Sequence, residues 1–428
     1  MLEIRKKIKK FFKILGPGII TGAADDDPSG IATYTQTGAQ FGYGPLWTSL
    51  FALPFVTAVQ DACARIGAVS GRGLTAVIKK HYSKPALLIT IGLVVIANTI
   101  NIGANIGAMA SAAQLLAPVN FAMLAIFFTT IILLLEISLS YKIYVRLLKI
   151  CALSLFAYVV TVFLINHPWG TILRATFIPH IELNFEFFFI ITAIFGTTIS
   201  PYMFFWEASQ EVEEEKEKHM IVGGEARVTK HFIRRIRIDN FIGMLASQIG
   251  VWSIIVVAAT VLNANGIINV DSAADAARAL EPLVDTFSNS GLLAKVIFAF
   301  GIIGLGMLSI PILSSSASYA VSEAFGWREG LNLKFRRGHG FYGIIIIATL
   351  VGLLINFIGI NPIKALVLTA VINGVISVPL IYIIARISRN EKIMGEYKSS
   401  NISNTLIWTT FFIMLASVVL MFISFILH

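Results

Sequence analysis

Three consecutive aspartates, Asp25, Asp26 and Asp27, stand inside the first long apolar stretch of the chain and are followed at once by Pro28, Ser29 and Gly30. A carboxylate at the centre of a membrane helix costs about 3 kcal/mol on insertion scales, so such groups are functional candidates by default. A proline followed by two small residues interrupts the helical hydrogen-bond ladder and frees backbone carbonyls beside the carboxylate. Carboxylate and carbonyl oxygens together make a site for a cation rather than an anion. A second interruption has the same form: Thr197, Thr198, Ile199, Ser200, Pro201 and Tyr202 fall in the middle of another apolar stretch, with Pro201 lying 173 residues after Pro28. The chemistry these residues offer is the binding of a cation between two broken helices.

Weaker candidates surround them. Asp61 and Arg65 are four apart and share a helix face, an arrangement that suits an internal ion pair or a gate better than a ligand set. Glu207 lies about two turns past the second break and would line an exit path. Asn98, Asn101 and Asn105 recur at spacings of three and four; hydrogen bonds between helices are the favoured role, a wet path the second. Glu136 and Glu323 stand near the ends of apolar stretches and are expected to reach the membrane interface. The seven histidines show no metal-binding spacing and no pair of nucleophile and base is discernible, so an enzyme is the least favoured class. Cys63 and Cys151 both lie in apolar stretches, which argues against a disulfide framework or a thiolate metal site.

The elements that must position these residues are membrane helices. Of 428 residues 56% are hydrophobic and only 13% charged, and the mean hydropathy is +0.80, values outside the range of soluble domains. Runs of about 20 apolar residues are needed to span a bilayer. Eleven candidates emerge: 11–41, 44–69, 86–115, 120–136, 144–164, 187–210, 240–262, 292–325, 341–358, 363–387 and 406–427. With the N-terminus placed in the cytoplasm, 29 of the 33 lysines and arginines fall on that side, so the net charge of +9 records topology rather than nucleic-acid binding. The C-terminus then lies outside. The N-terminal Arg5, Lys6, Lys7, Lys9, Lys10 and Lys13 precede no small-residue cleavage site, and the first apolar segment is expected to stay. The one long charged stretch, 211–239, is expected to be a cytoplasmic solvated linker followed by a basic helix at the lipid surface. Two five-helix halves, about 11–165 and 187–387, each opening with a proline-broken helix, form the pattern of an inverted-repeat transporter, with 406–427 as an accessory helix.

The stretches GPGIITGAADDDPSGIATYTQTGAQFGYGPLW, Gly16 to Trp47, and RIGAVSGRGLTAVI, Arg65 to Ile78, resemble the first helix and the exit of the second helix of the Nramp family of divalent metal transporters. The resemblance runs through most of the chain and is closest in the first 80 residues. It implies an all-α membrane protein with a LeuT-like 5+5 inverted repeat, 11 transmembrane helices and a metal site between the broken helices 1 and 6. The family's helix 1 motif Asp-Pro-Gly-Asn is matched by Asp27, Pro28, Ser29 and Gly30; Asp27 carries over as a ligand, whereas Gly30 offers only its backbone. The helix 6 motif Met-Pro-His is matched by Ser200, Pro201 and Tyr202. Loss of the thioether, with Thr197 nearby, leaves a harder oxygen site and weakens the preference for Mn or Fe over Mg. The cavity is also enlarged, which suits an ion that keeps several waters. The helix 3 pair Asp-x-x-Glu, linked to proton movement, is replaced by Asn98 and Asn101. These departures resemble the divergent branch of Nramp-related magnesium transporters. For the family's helix 10 glutamine, Asn373 is the nearest amide.

The expectation is therefore a secondary transporter or facilitator moving Mg2+ and Mn2+ by alternating access without protons. Its cation would be held by Asp27, Gly30, Thr197, Ser200 and water, and Asp25 and Asp26 would draw cations to the site. It needs no cofactor, acts as a monomer, and sits in the lipid bilayer of a bacterial inner membrane. Alternatives are a proton-coupled Mn or Fe importer using Asp61 or Glu207, a sodium-coupled symporter of an organic carboxylate, and a membrane sensor built on a transporter shell.

Overall fold

In the computed structural model, residues 21–22, 25–138, 156–222, 225–285 and 289–427 are described; the basic N-terminus, Cys151 and the beginnings of the first and fifth apolar segments lie outside them. The chain forms helices α1 (Pro28–Phe41), α2 (Trp47–Ser70), α3 (Leu74–His81), α4 (Lys84–Gln114), α5 (Phe121–Ser138), α6 (Phe156–Leu164), α7 (Trp169–Phe177) and α8 (Phe185–Thr198). It continues with α9 (Pro201–Glu217), α10 (Lys230–Val261), α11 (Ala273–Arg278), α12 (Ser290–Phe325), α13 (His339–Ile355), α14 (Pro362–Arg389), α15 (Glu391–Met394) and α16 (Asn401–Leu427). A two-residue antiparallel hairpin, Ile221–Val222 with Glu225–Ala226, joins α9 to α10.

Lipid leaves no partner for backbone polar groups, so long apolar runs become helices that satisfy their own. Among the described residues eight helical spans are long and apolar enough to cross a membrane, with α8 and α9 together forming one of them, and α13 is a shorter apolar helix. α1 and α6 are the described parts of the first and fifth segments. Polar caps mark the starts: Ser83 accepts from the Ala86 amide, Asn184 from Phe187 and Thr229 from Phe232, while Asn361 caps α14 ahead of Pro362.

Small residues bring the helices around the breaks into backbone contact, as membrane packing requires. At Gly38 of α1 a Cβ would stand 2.5 Å from the Ile255 carbonyl of α10. At Gly67 of α2 it would run into the Ala208 carbonyl of α9, and at Gly196 of α8 into the Ala370 carbonyl of α14.

Two expectations about charge are corrected. Glu136 and Glu323 do not reach the interface; both are buried. Glu136 accepts from Ser314 of α12 at 2.8 Å, and Glu323 accepts from the Ala76 amide of α3 at 2.9 Å and the Ser209 hydroxyl of α9 at 3.1 Å. Each finds its hydrogen bonds on a neighbouring helix, which makes the interface unnecessary. The stretch 211–239 is a solvated linker only in its middle, where residues 216–219 and 229–231 are exposed. α9 continues to Glu217, α10 begins at Lys230, and Glu211, Glu215 and Asp239 are buried. Ala208, Glu211 and Glu215 share one face of α9 at spacings of three and four, so the contact of Ala208 with α2 carries both acids inward.

In the loop after α12, the Glu329 carboxyl is pushed up to about 9, first by burial and then by the neighbouring Glu323 carboxylate. The folded chain therefore binds an extra proton above the ordinary carboxylate range and up to about pH 9, and stability falls as pH rises through that window. Glu329→Gln is expected to flatten the fall of the detergent melting temperature between about pH 6 and about pH 9. Gly67→Ala is expected to cost about 1–3 kcal/mol, read as a lower melting temperature, whereas Gly92→Ala, where nothing lies within 4 Å of the added carbon, leaves it unchanged.

Candidate functional site: two helix breaks and one carboxylate

α1 starts at Pro28 because Asp27 caps it in an extended conformation. Asp27 Oδ1 accepts from the Gly30 amide at 3.0 Å and the Ser29 hydroxyl at 2.5 Å, so the broken helix supplies the donors that hold this carboxylate. Its Oδ2 turns to α4 and accepts from the side-chain amides of Asn101 at 3.4 Å and Asn105 at 3.3 Å. These two bonds are long and therefore weak. Asn105 also reaches the Ser309 hydroxyl of α12 at 3.2 Å. The amide oxygens of Asn101 and Asn105 are buried without a hydrogen-bond partner.

The second break is built around Ser200, which stands at the start of α9 and donates to the carbonyls of Gly196 at 2.7 Å and Thr197 at 2.6 Å. The Ile199 carbonyl, freed by the break, is taken by the Ser377 hydroxyl of α14 at 2.6 Å. The breaks meet through hydroxyls: Ser29 and Thr197 are 3.4 Å apart, and Tyr34 and Thr198 3.0 Å. Gly30 keeps this junction open. A Cβ there would stand 3.3 Å from Thr197 Oγ1 and 3.4 Å from the Asp25 carbonyl.

Asp27, Gly30 and Thr197 are thus brought together, and Asn101 and Asn105 join them. Ser200 lies at the same break with its hydroxyl proton committed to its own turn. Asp25 and Asp26 do not share the junction: both face Ser247 of α10, whose hydroxyl is 2.5 Å from Asp25 Oδ2 and 3.3 Å from Asp26 Oδ1. The expected drawing of cations to the break would then act through their charge. Tyr202 is buried in an apolar cluster with Met109, Met203 and Trp206. Met109, one turn beyond Asn105, places its sulfur where a Cβ on Gly306 would be, beside Pro28. Asn98 donates to the Leu313 carbonyl of α12 at 3.0 Å, a helix joint. Asn373 is buried with its Nδ2 unpartnered, next to Gly374, which packs on Thr192 and Gly196 of α8.

Asp61 pairs with Arg65 at 2.8 Å and with Arg237 of α10 at 3.3 Å. Arg65 also donates to the Tyr397 carbonyl at 2.7 Å and the Ser399 hydroxyl at 2.8 Å, so this group ties α2 and α10 to the segment before α16. Glu207 is buried and accepts from the Thr21 hydroxyl, which precedes the first break.

The residues that sequence reasoning passed over are Ser29 as a carboxylate donor, Tyr34, Ser309 and Ser377. Asn105 carried a signal in its spacing from Asn101; Ser377 carried none, because its partner is a carbonyl 178 residues away. The junction offers carboxylate, hydroxyl, carbonyl and amide oxygens, all buried, around the N-terminus of a half-helix. Such a set suits a hard or borderline cation. Ser377→Ala leaves the Ile199 carbonyl buried and unpaired, and is expected to cost about 1–3 kcal/mol of stability, read as a lower melting temperature.

Residues 18–424 match the family described as natural resistance-associated macrophage protein-like, Nramp. Among curated proteins, the divalent metal cation transporter MntH of Caldanaerobacter subterraneus is 25% identical over 439 aligned positions, covering 98% of this chain and 94% of that protein. Among solved structures, the Eremococcus coleocola manganese transporter superposes with a TM-score of 0.74 at 19% identity, over 96% of this chain and 85% of that one. Mhp1, a nucleobase-cation-symport-1 family transporter in a closed conformation, superposes with a TM-score of 0.59 at 14% identity, over 96% of this chain and 92% of that one.

Proposed function

The chain belongs to the Nramp family, and from that premise we propose that it is a multi-pass membrane transporter of divalent metal cations that carries Mg2+ as well as Mn2+, without coupling to protons. Similarity to proteins named as divalent metal cation and manganese transporters supports the cargo class. The observation that carries the finer reading is the Asp27 junction itself: a capped carboxylate, two hydroxyls and two asparagines whose amide oxygens lack partners.

A cation entering there displaces the two long bonds from Asn101 and Asn105 to Asp27 Oδ2. Rotation of either amide then presents its oxygen to the ion. No thioether stands at Ser200 to prefer Mn2+ over Mg2+, and hydroxyls with a glycine at Gly30 suit an ion that keeps water. Two asparagines beside the carboxylate cannot take up a proton. The membrane potential suffices as the driving force, since a divalent ion gains about 4.6 kcal/mol per 100 mV. The basic-residue pattern supports a cytoplasmic N-terminus, an outward C-terminus and a bacterial inner membrane.

A proton-coupled importer is the second reading, favoured by one feature, the buried Glu207 bonded to Thr21 across the first break. Influx into proteoliposomes with a negative-inside potential and an internal pH probe separates the two. Expected are Mg2+ entry, competition by Mn2+, no acidification, abolition by Asp27→Ala, and a loss of roughly 10–100-fold in apparent affinity when Asn101 and Asn105 are both changed to leucine. Entry of Mn2+ with protons and no Mg2+ would overturn the finer reading in favour of the second.

A further inference from the structure

Far from the junction, a cavity of about 300 Å3 opens between the end of α14 and the start of α16, lined by Ala385, Arg386, Arg389, Asn390, Asn404 and Trp408. The basic-residue pattern places these helix ends in the cytoplasm. Both arginines are exposed, and no acid is among the lining residues. Glu391, next to them in sequence, is paired with Lys398. The Arg386 guanidinium makes no hydrogen bond or ion pair among the described residues, and Arg389 spends one N–H on the Ser399 carbonyl at 2.9 Å. A second basic cavity, of about 510 Å3 between α10 and residues 396–398, differs in this respect. There Lys230 is paired with Glu396, Arg237 with Asp61 and Lys398 with Glu391. The charge at α14 is uncompensated, so it is the one that favours an anionic guest.

Two independent observations say what kind of anion fits. The Asn404 amide oxygen, in the cavity wall, is buried without a hydrogen-bond partner, so the guest that completes the site also brings a donor. Below the arginines lies an aromatic floor. Tyr382, Arg386 and Arg389 recur at spacings of four and three on α14, and Asn404, Trp408 and Phe412 at spacings of four on α16, so each set shares one helix face. The two helices pack together, with the Tyr382 and Trp408 rings 5.7 Å apart and those of Trp408 and Phe412 6.1 Å apart. Tyr382 is 43% exposed and Phe412 59%. A groove thus runs from two guanidinium groups over open aromatic surface toward the bilayer interior. Guanidinium forks match phosphate oxygens, and Trp and Tyr sit at headgroup depth. A free phosphate would use only the head of this groove, whereas a phospholipid uses its whole length.

We propose that the groove between α14 and α16 is a binding site for an anionic phospholipid, whose phosphate is held by Arg386 and Arg389 and whose acyl chain lies along Tyr382, Trp408 and Phe412. Basic pockets between membrane helices at the cytoplasmic surface take lipid headgroups in this way. A headgroup hydroxyl donates to the Asn404 amide oxygen, which makes phosphatidylglycerol the fitting probe. The lipid then fastens α16 to α14 beside a joint that is already built: Ser399 is held through its carbonyl by Arg389 and through its hydroxyl by Arg65. The proposal needs α14 and α16 to cross a bilayer and is independent of which ion the chain carries.

Two measurements on the full chain in detergent test it. Added phosphatidylglycerol is expected to raise the melting temperature, with a much smaller effect of phosphatidylcholine and none of inorganic phosphate. Arg386→Gln/Arg389→Gln is expected to shift the phosphatidylglycerol concentration required upward roughly 10–30-fold, while Lys230→Gln/Arg234→Gln at the second cavity leaves it unchanged. Arg389→Gln also gives up the Ser399 carbonyl, so Arg386→Gln alone, which breaks no contact, must shift the requirement in the same direction, by about fivefold. Phosphatidylglycerol with brominated acyl chains is expected to quench the tryptophan fluorescence of the wild type more than that of Trp408→Phe. An equal response to phosphatidylcholine, or an equal loss in the two double variants, would overturn the site in favour of general attraction to the surface. A response to inorganic phosphate that matches the lipid would replace it with a free-anion site, and quenching that ignores Trp408→Phe would place the lipid elsewhere.

Discussion

A carboxylate fixed at the start of a half-helix, deep among apolar residues, is the constraint on which the rest of this structure depends. Asp27 is tolerable there because the break at Pro28 hands it donors from its own turn: the Gly30 amide and the Ser29 hydroxyl hold one oxygen in place. The helix dipole adds a favourable field at the same point. The other oxygen is left with two long bonds from asparagines. One side of the carboxylate is therefore fixed and the other exchangeable, which is the division of labour that a reversible cation site needs. Everything packed around it, from Gly30 to the Ser377 clamp on Ile199, keeps two broken helices in register so that this exchangeable side faces a junction of oxygens.

Much of that was legible in the chain. Proline after a charged or hydroxyl residue in the middle of an apolar run has a local physical meaning, so both breaks and the place of Asp27 at the first of them follow from sequence alone. What sequence could not assign was direction. Asp25, Asp26 and Asp27 are adjacent, yet two face Ser247 and one faces α4; the interrupted turn, not the residue types, decides this. Glu136, Glu323 and Glu211 failed for a related reason. Each sits near a helix end where an interface is the cheap solution, but a partner on another helix, or a face fixed by a small residue such as Ala208, draws it inside. Contacts over a hundred residues or more leave no local trace.

One face of α2 shows how the molecule holds its parts together. Asp61 and Arg65 are satisfied, with Arg237, Tyr397 and Ser399 completing a network that spans three parts of the chain. Satisfied buried charge of this kind resists rearrangement, because breaking it strands a charge.

The asparagines on α4 bear on coupling through the same electrostatics. A carboxylate in their place would lie about 3 Å from Asp27, and two such charges cannot both remain ionised in a dry interior, so one would hold a proton until a cation displaced it. That displacement is what would link metal entry to proton movement. Asn101 and Asn105 bring no charge of their own and supply donors to Asp27 Oδ2 instead. On the proposed reading, a cation that reaches Asp27 Oδ2 displaces two weak hydrogen bonds from neutral amides, and the acid that would have tied its entry to a proton is not on that helix face.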